Sequence, residues 1–328
     1  MTTALSPGRP SSAEPAVSLE KAAVGDRVFR ILLTATALSI PLLMLFLVIE
    51  LIRGSELAIG RFGLHFITSS VWDPVAEQFG AFPLIFGTLL SSFLALLIAV
   101  PLSLGVAIYL TEFAPKAIRQ PVAFVIQMLA AIPSVVYGLW GVFVLVPFLK
   151  KFAFPFLRDT LGFLPFFRGP IYGPSMLAAS IILAIMIMPF IMSVAREVLL
   201  AVPDTQREAS LALGATRWEA VISAILPYAR SGIIGAIILG LGRALGETMA
   251  VTMLIGNRNE IAASLFAPGY TMAAVIANEF SEAATDLHFS ALTYVALVLF
   301  VITVLVNAAA RLLIWRVARG AAIGSKAL

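Results

Sequence analysis

Read for apolar and polar positions, the chain falls into six long apolar runs parted by more polar segments, at residues 31–52, 82–110, 122–149, 175–197, 231–255 and 289–315. At about 1.5 Å of rise per helical residue, each run reaches across a hydrocarbon layer about 30 Å thick. Backbone polar groups inside a bilayer find no water, so such runs fold as helices that satisfy their own N–H and C=O groups. The pattern predicts an all-α polytopic membrane protein with six transmembrane helices. An even number of spans places both termini on one side.

Composition narrows this picture. Of 328 residues, 60% are hydrophobic and 12% charged, against about 25% charged in soluble domains. No cysteine is present, which excludes disulfides, thiolate metal sites and a nucleophilic thiol. The two histidines, His65 and His288, fall in connecting segments with no second ligand at metal spacing, and read as surface residues. Residues 1–28, rich in Ser, Pro and Ala, read as a mobile tail rather than a cleavable signal, with the first run as an uncleaved anchor. Residues 29–81 would then hold the first span and an external loop, 82–316 the main transmembrane domain, and 317–328 a second tail.

Basic residues set the orientation. Fourteen of the 22 Lys and Arg fall on the face that carries both termini, Arg196 and Arg311 at span ends among them, and seven on the other, with Arg243 alone deep inside a span. The richer face is predicted to be cytoplasmic. Segment 150–174, KKFAFPFLRDTLGFLPFFRGPIYGP, lies on the outer side and reads as an interfacial hairpin. Its four basic residues serve either to anchor it or to attract an anion or an acidic surface.

The longest inner connection, 197–230, carries Thr205 and Glu208 at capping-box spacing, with Pro203 just upstream. This predicts a helix from near Thr205 that loosens at Gly214, then a second from Thr216 to about Leu226 that Pro227 interrupts. Leu211, Leu213, Trp218 and Ile222 give the pair apolar surface outside the membrane, which calls for a partner.

The spacing Glu208-Ala209-Ser210, three residues, Gly214, then Leu226-Pro227 resembles the EAA loop of ATP-binding-cassette importer permeases. Ser210 stands where that pattern has a third Ala, and Ala224 where it has Ile, with Ile225 beside it. The resemblance implies a type I importer (MetI-like) permease fold with a coupling helix in 203–227, between spans four and five. It places Thr205, Glu208, Ala209, Gly214, Leu226 and Pro227 in the loop that docks on an ATPase. The chain has no GxxxxGK[ST] phosphate-cradling loop. ATP and its Mg are therefore expected on a separate ATPase subunit, with no cofactor in this chain.

The fifth run holds Arg243, twelve residues from either end, and Glu247 four residues on, at a spacing that shares one helical face. A charge at the bilayer centre costs roughly 2.5–3.5 kcal/mol on insertion scales. Two readings meet that cost. One is a buried ion pair that locks the bundle. The other is a pair on the route of an anionic solute, where a planar guanidinium donates two parallel hydrogen bonds to an oxyanion. Gly235, Gly240, Gly242 and Gly246 leave small surfaces for a neighbouring helix. In the third run Pro133 removes a backbone hydrogen bond, as a packing kink or as part of the route.

The run GLGRALGETMAV also resembles a more specific family, the C-type permease subunits of the bacterial high-affinity phosphate importer, the Pst system. Further matching stretches are FGTLLSSFLALLIAVPLSLGVAIYLTEFAP (86–115), LAAIPSVVYGLWGVF (129–143), LAIMIMPFI (183–191) and NEFSEA (278–283). The resemblance implies that Arg243 and Glu247 act in phosphate translocation. It also implies a homologous second permease, two ATPase subunits and an external phosphate-binding protein as partners. The setting would be the lipid bilayer of the bacterial inner membrane, with both termini cytoplasmic and no nucleic acid involved. Three other classes stay open: a permease for sulfate or molybdate, a proton-coupled secondary transporter with Glu247 as carrier, and a membrane-embedded enzyme. For the enzyme, none of the spans shows a nucleophile–base or metal constellation.

Overall fold

The computed structural model describes residues 17–324, with side chains over 26–312. Six helices among the described residues are long and apolar enough to cross a membrane: Asp26–Gly54, Phe82–Phe113, Ser134–Leu161, Met176–Leu200, Arg217–Leu245 and Asp286–Leu312. They are spans one to six below. The chain divides into two compact units, Met1–Arg53 and Gly54–Leu328. In the first, a helix over Val17–Gly54 takes up residues 17–28 of the expected tail, and residues 1–16 lie outside the described residues. The last helix runs to Gly324, through most of the second expected tail, and residues 325–328 lie outside as well.

Within the second unit, span four is the most buried helix, and spans two and five both pack on it. Gly240 of span five receives the Ile191 side chain and Gly232 receives Val198, each within 2.6 Å of where a Cβ would stand. Two of the expected small surfaces are looser: Gly235 faces open space and Gly242 meets only Asn307, at 4.0 Å.

The third run departs from expectation. Rather than one helix over 122–149, a separate helix Lys116–Ala130 ends before Pro133, and span three starts at Ser134 and continues to Leu161. Pro133 has no N–H to give the Leu129 carbonyl. That oxygen is satisfied instead by the Ile132 N–H at 3.3 Å and the Tyr137 hydroxyl at 2.8 Å. Much of the expected 150–174 hairpin is therefore helix, including Lys150, Lys151 and Arg158. Among the described residues, four π-helical turns, Tyr109–Phe113, Gly141–Leu145, Leu149–Ala153 and Val221–Ile225, each end two residues before a proline. A proline lacks a donor and its ring crowds the carbonyl four residues back. The wider turn moves that carbonyl aside, so at Pro147, Pro155 and Pro227 the chain stays helical.

At the end of the bundle away from the 197–230 loop, helix Met272–Glu279 and an antiparallel pair, Trp72–Asp73 with Gln78–Phe79, close over a second core. Here a sequence expectation fails. His288 is buried, stacked on Phe79 with ring centroids 5.3 Å apart, and its Nε2 lies 3.1 Å from Glu279 Oε2. Trp72 Nε1 donates to the same oxygen at 2.9 Å. Burial pushes the nearby Tyr270 hydroxyl up to about 12, so it stays protonated and faces Glu279 Oε1 at 3.4 Å. His65, by contrast, is exposed as expected.

Candidate functional site

Span five does not run unbroken through 231–255. Its helix ends at Leu245, Gly246 to Thr248 are non-helical, and a short helix resumes over Met249–Ile255. Arg243 stands in the last turn before the break and Glu247 in the break itself. The expectation that both lie on one face of a continuous helix is therefore corrected. Arg243 and Glu247 form no ion pair among the described residues. Glu247 turns toward the second helix, where its Oε1 accepts the Ala250 N–H at 3.2 Å, satisfying one of the donors a helix start leaves open.

The break is held from its far side. Gly138 and Gly141 of span three let the short helix approach closely: a Cβ at Gly138 would stand 2.6 Å from Met253 Sδ, and one at Gly141 2.7 Å from a Leu254 methyl. Its last carbonyls are met by the Gly269 N–H on Ile255 at 3.0 Å and the Ser175 N–H on Leu254 at 2.9 Å. Gly256, at φ +92°, then turns the chain in the left-handed region that suits glycine.

Arg243 is exposed on this chain, and among the described residues it makes no hydrogen bond or ion pair. Its guanidinium carbon lies 5.9 Å from the Phe190 ring centroid, near enough for a cation–π attraction. The result is an exposed cation in the last turn before the break and, in the break, a half-buried carboxylate with one oxygen already engaged. Chemically, such a pair can take an anion that also carries a proton.

The 197–230 loop has a different character. Its first helix covers Asp204–Ala212 with Pro203 at the cap and no side-chain cap bond. Thr205 is thus already inside the helix, and the expected box with Glu208 does not form. The box forms at the other Thr-x-x-Glu spacing, where the Thr216 N–H donates to Glu219 Oε2 at 2.7 Å and the Glu219 N–H to Thr216 Oγ1 at 3.3 Å. Gly214 has φ +87°, with its N–H on Leu211 O and the Ala215 N–H on Ser210 O. That crossed pair is a Schellman end, which needs glycine at this position. Pro227 does not interrupt the second helix, and Leu226 packs partly buried on the core at that end. Glu208 and Ala209 are exposed, and so are Leu211, Leu213, Trp218 and Ile222.

The family described as binding-protein-dependent transport system inner membrane component matches residues 99–319. The chain belongs to that family. It is 45% identical over 304 residues to the phosphate transport system permease protein PstC of Mesorhizobium japonicum, covering 92% of this chain and 93% of that one. With the protein of the same description from Haemophilus influenzae it shares 49% over 282 residues, covering 85% and 89%. Among solved structures, a bacterial alginate ABC transporter in complex with an alginate-bound periplasmic protein aligns with a TM-score of 0.58 at 19% identity, over 87% of this chain and 94% of that one. At that identity the likeness concerns fold alone. The expected six-span importer permease fold is thus shared, and this family member is a multi-pass inner-membrane transport component.

Two features escaped the sequence reading. One is the buried Glu279–His288 pair, since nothing in local spacing marks a histidine as buried. The other is an ion pair between Arg207 and Glu112, 95 residues apart in the chain.

Proposed function

We propose that this chain is a membrane-spanning subunit of an ATP-driven phosphate importer and forms half of the phosphate route. The observation that carries the reading is Arg243, a cation without an ion-pair partner among the described residues, next to a break in span five. The family membership and the phosphate transport descriptions of relatives at 45% and 49% identity support it. The importer would be completed by a homologous second permease, two ATPase subunits that bind ATP and Mg, and an external phosphate-binding protein. This chain needs no cofactor and does no chemistry of its own. The exposed loop surface around Glu208, Ala209, Leu211 and Leu213 would seat on an ATPase subunit, which makes that side, and both termini, cytoplasmic.

Selectivity follows from the pair. Arg243 offsets part of an entering anion's charge. Glu247 repels a bare dianion, yet its free oxygen can accept a hydrogen bond from the proton that phosphate retains near neutral pH. Sulfate has no such proton and leaves two negative charges facing each other.

The test is reconstitution in liposomes of the complex co-purified through this chain. Phosphate uptake should require ATP and persist with a protonophore present. An ATP-independent uptake that the protonophore abolishes would contradict the reading and favour a proton-coupled carrier.

A further inference from the structure

The helix Asp204–Ala212 buries none of its residues, and its packing is on the start of span five rather than on spans two or four. Its side-chain hydrogen bonds to spans two and four come from a single guanidinium. Arg207 Nε faces both Glu112 oxygens, at 3.3 and 3.4 Å, and Nη2 donates to Glu112 Oε1 at 3.1 Å. Nη2 also donates to the Leu199 carbonyl at 2.9 Å, while Nη1 donates to the Val202 carbonyl at 2.6 Å and to Asp204 Oδ1 at 3.1 Å. All five donors of the group are engaged. The side chains are 20% and 13% exposed, so water screens the pair only in part.

The partners lie on three separate elements. Glu112 belongs to the π turn that ends span two, and the Leu199 carbonyl to the last turn of span four, where helix carbonyls have no intrahelical partner. Val202 and Asp204 belong to the loop itself. Next to Glu112, Phe113 tilts on Trp218 of the second loop helix, with ring centroids 6.3 Å apart. Span two in turn is tied to span four, where Ser103 Oγ donates to the Met188 carbonyl at 3.0 Å.

Resting on the permease reading above, we propose that Arg207 and Glu112 are a positioning pair, the joint through which a displacement of the docking loop reaches spans two and four together. Without it the loop helix keeps its short chain link to span four through Val202 but loses its direct bond to span two. ATP hydrolysis can then proceed while the spans do not follow.

The test uses the full complex in proteoliposomes and reads phosphate transported per ATP hydrolysed. Glu112→Gln and Arg207→Gln should each lower that ratio about tenfold, within the usual range for coupling between sites, while ATP hydrolysis continues. The double variant should fall no further than the worse single one, since both break one joint. A second readout exploits the absence of cysteine: spin labels on Gln206→Cys and Lys116→Cys report one distance. That distance should be the same with and without trapped ATP in the otherwise unaltered chain, and should shift or broaden once Glu112→Gln is added. An unchanged transport ratio, transport and hydrolysis falling in proportion, or a label distance indifferent to Glu112→Gln would overturn the joint. Lack of phosphate-stimulated hydrolysis in the unaltered complex would instead overturn the permease reading.

Discussion

Arg207 and Arg243 carry the same group and live in opposite circumstances. At the loop, every donor of Arg207 has a partner, drawn from three elements. In span five, Arg243 has a ring at 5.9 Å and no hydrogen bond among the described residues. A satisfied guanidinium fastens structure. An unsatisfied one deep in an apolar helix is a standing cost, and in this protein the surrounding fold is arranged to keep it so. The break at Gly246 turns Glu247 away to cap the next helix, and the glycines of span three hold that helix in place. The obvious neutralising partner is thus four residues off and otherwise engaged.

Four substitutions sharpen that contrast. Arg243→Ala should lower phosphate uptake about a hundredfold or more, the scale seen when a donor aimed at a developing or incoming charge is removed, with complex assembly unchanged by size-exclusion chromatography. Uptake near the unaltered level would move Arg243 to the structural side of the comparison. Glu247→Gln keeps an acceptor for the Ala250 N–H but removes the charge. Discrimination between phosphate and sulfate, from competing uptake, should fall about tenfold, the worth of one repulsive contact between otherwise similar anions. On the loop side, Gly214→Ala meets no atom within 4 Å but must adopt φ +87°. The expected cost is about 1–2 kcal/mol of local stability, read as faster hydrogen exchange over 204–216 with little change in uptake. The smallest effect belongs to Tyr137→Phe, which leaves the Leu129 carbonyl short of one partner. About 1 kcal/mol should appear as a lower melting temperature of the complex, and a span-three break that owed nothing to this bond would show none.

Much of this was legible in the sequence because bilayers are strict. The apolar runs mark spans two, four and six closely, since a helix is the cheapest way to satisfy backbone groups in lipid. What the pattern could not show were the places where helices stop inside an apolar run. Hydropathy is continuous through Gly246, and the break becomes visible only when Gly138 and Gly141 of another span are seen to receive the second half. At Pro133 a kink is legible, but not the hydroxyl four residues on that meets the freed Leu129 carbonyl. Pro203 starts the first loop helix at Asp204, which puts Thr205 inside it and out of capping position, while the box forms at the second helix, with Thr216 and Glu219. The Arg207–Glu112 joint had no local signature at all. Charges 95 residues apart pair only because spans two and four pack side by side.

The central claim is that the Arg243 position faces the path of an anion. Arg243→Cys places one thiol there in a chain with no other. In the reconstituted complex, a water-soluble cationic thiol reagent should label it, phosphate should slow the labelling, and the added ammonium should restore part of the lost uptake. Labelling only by a lipid-soluble reagent, at a rate indifferent to phosphate, would contradict the claim.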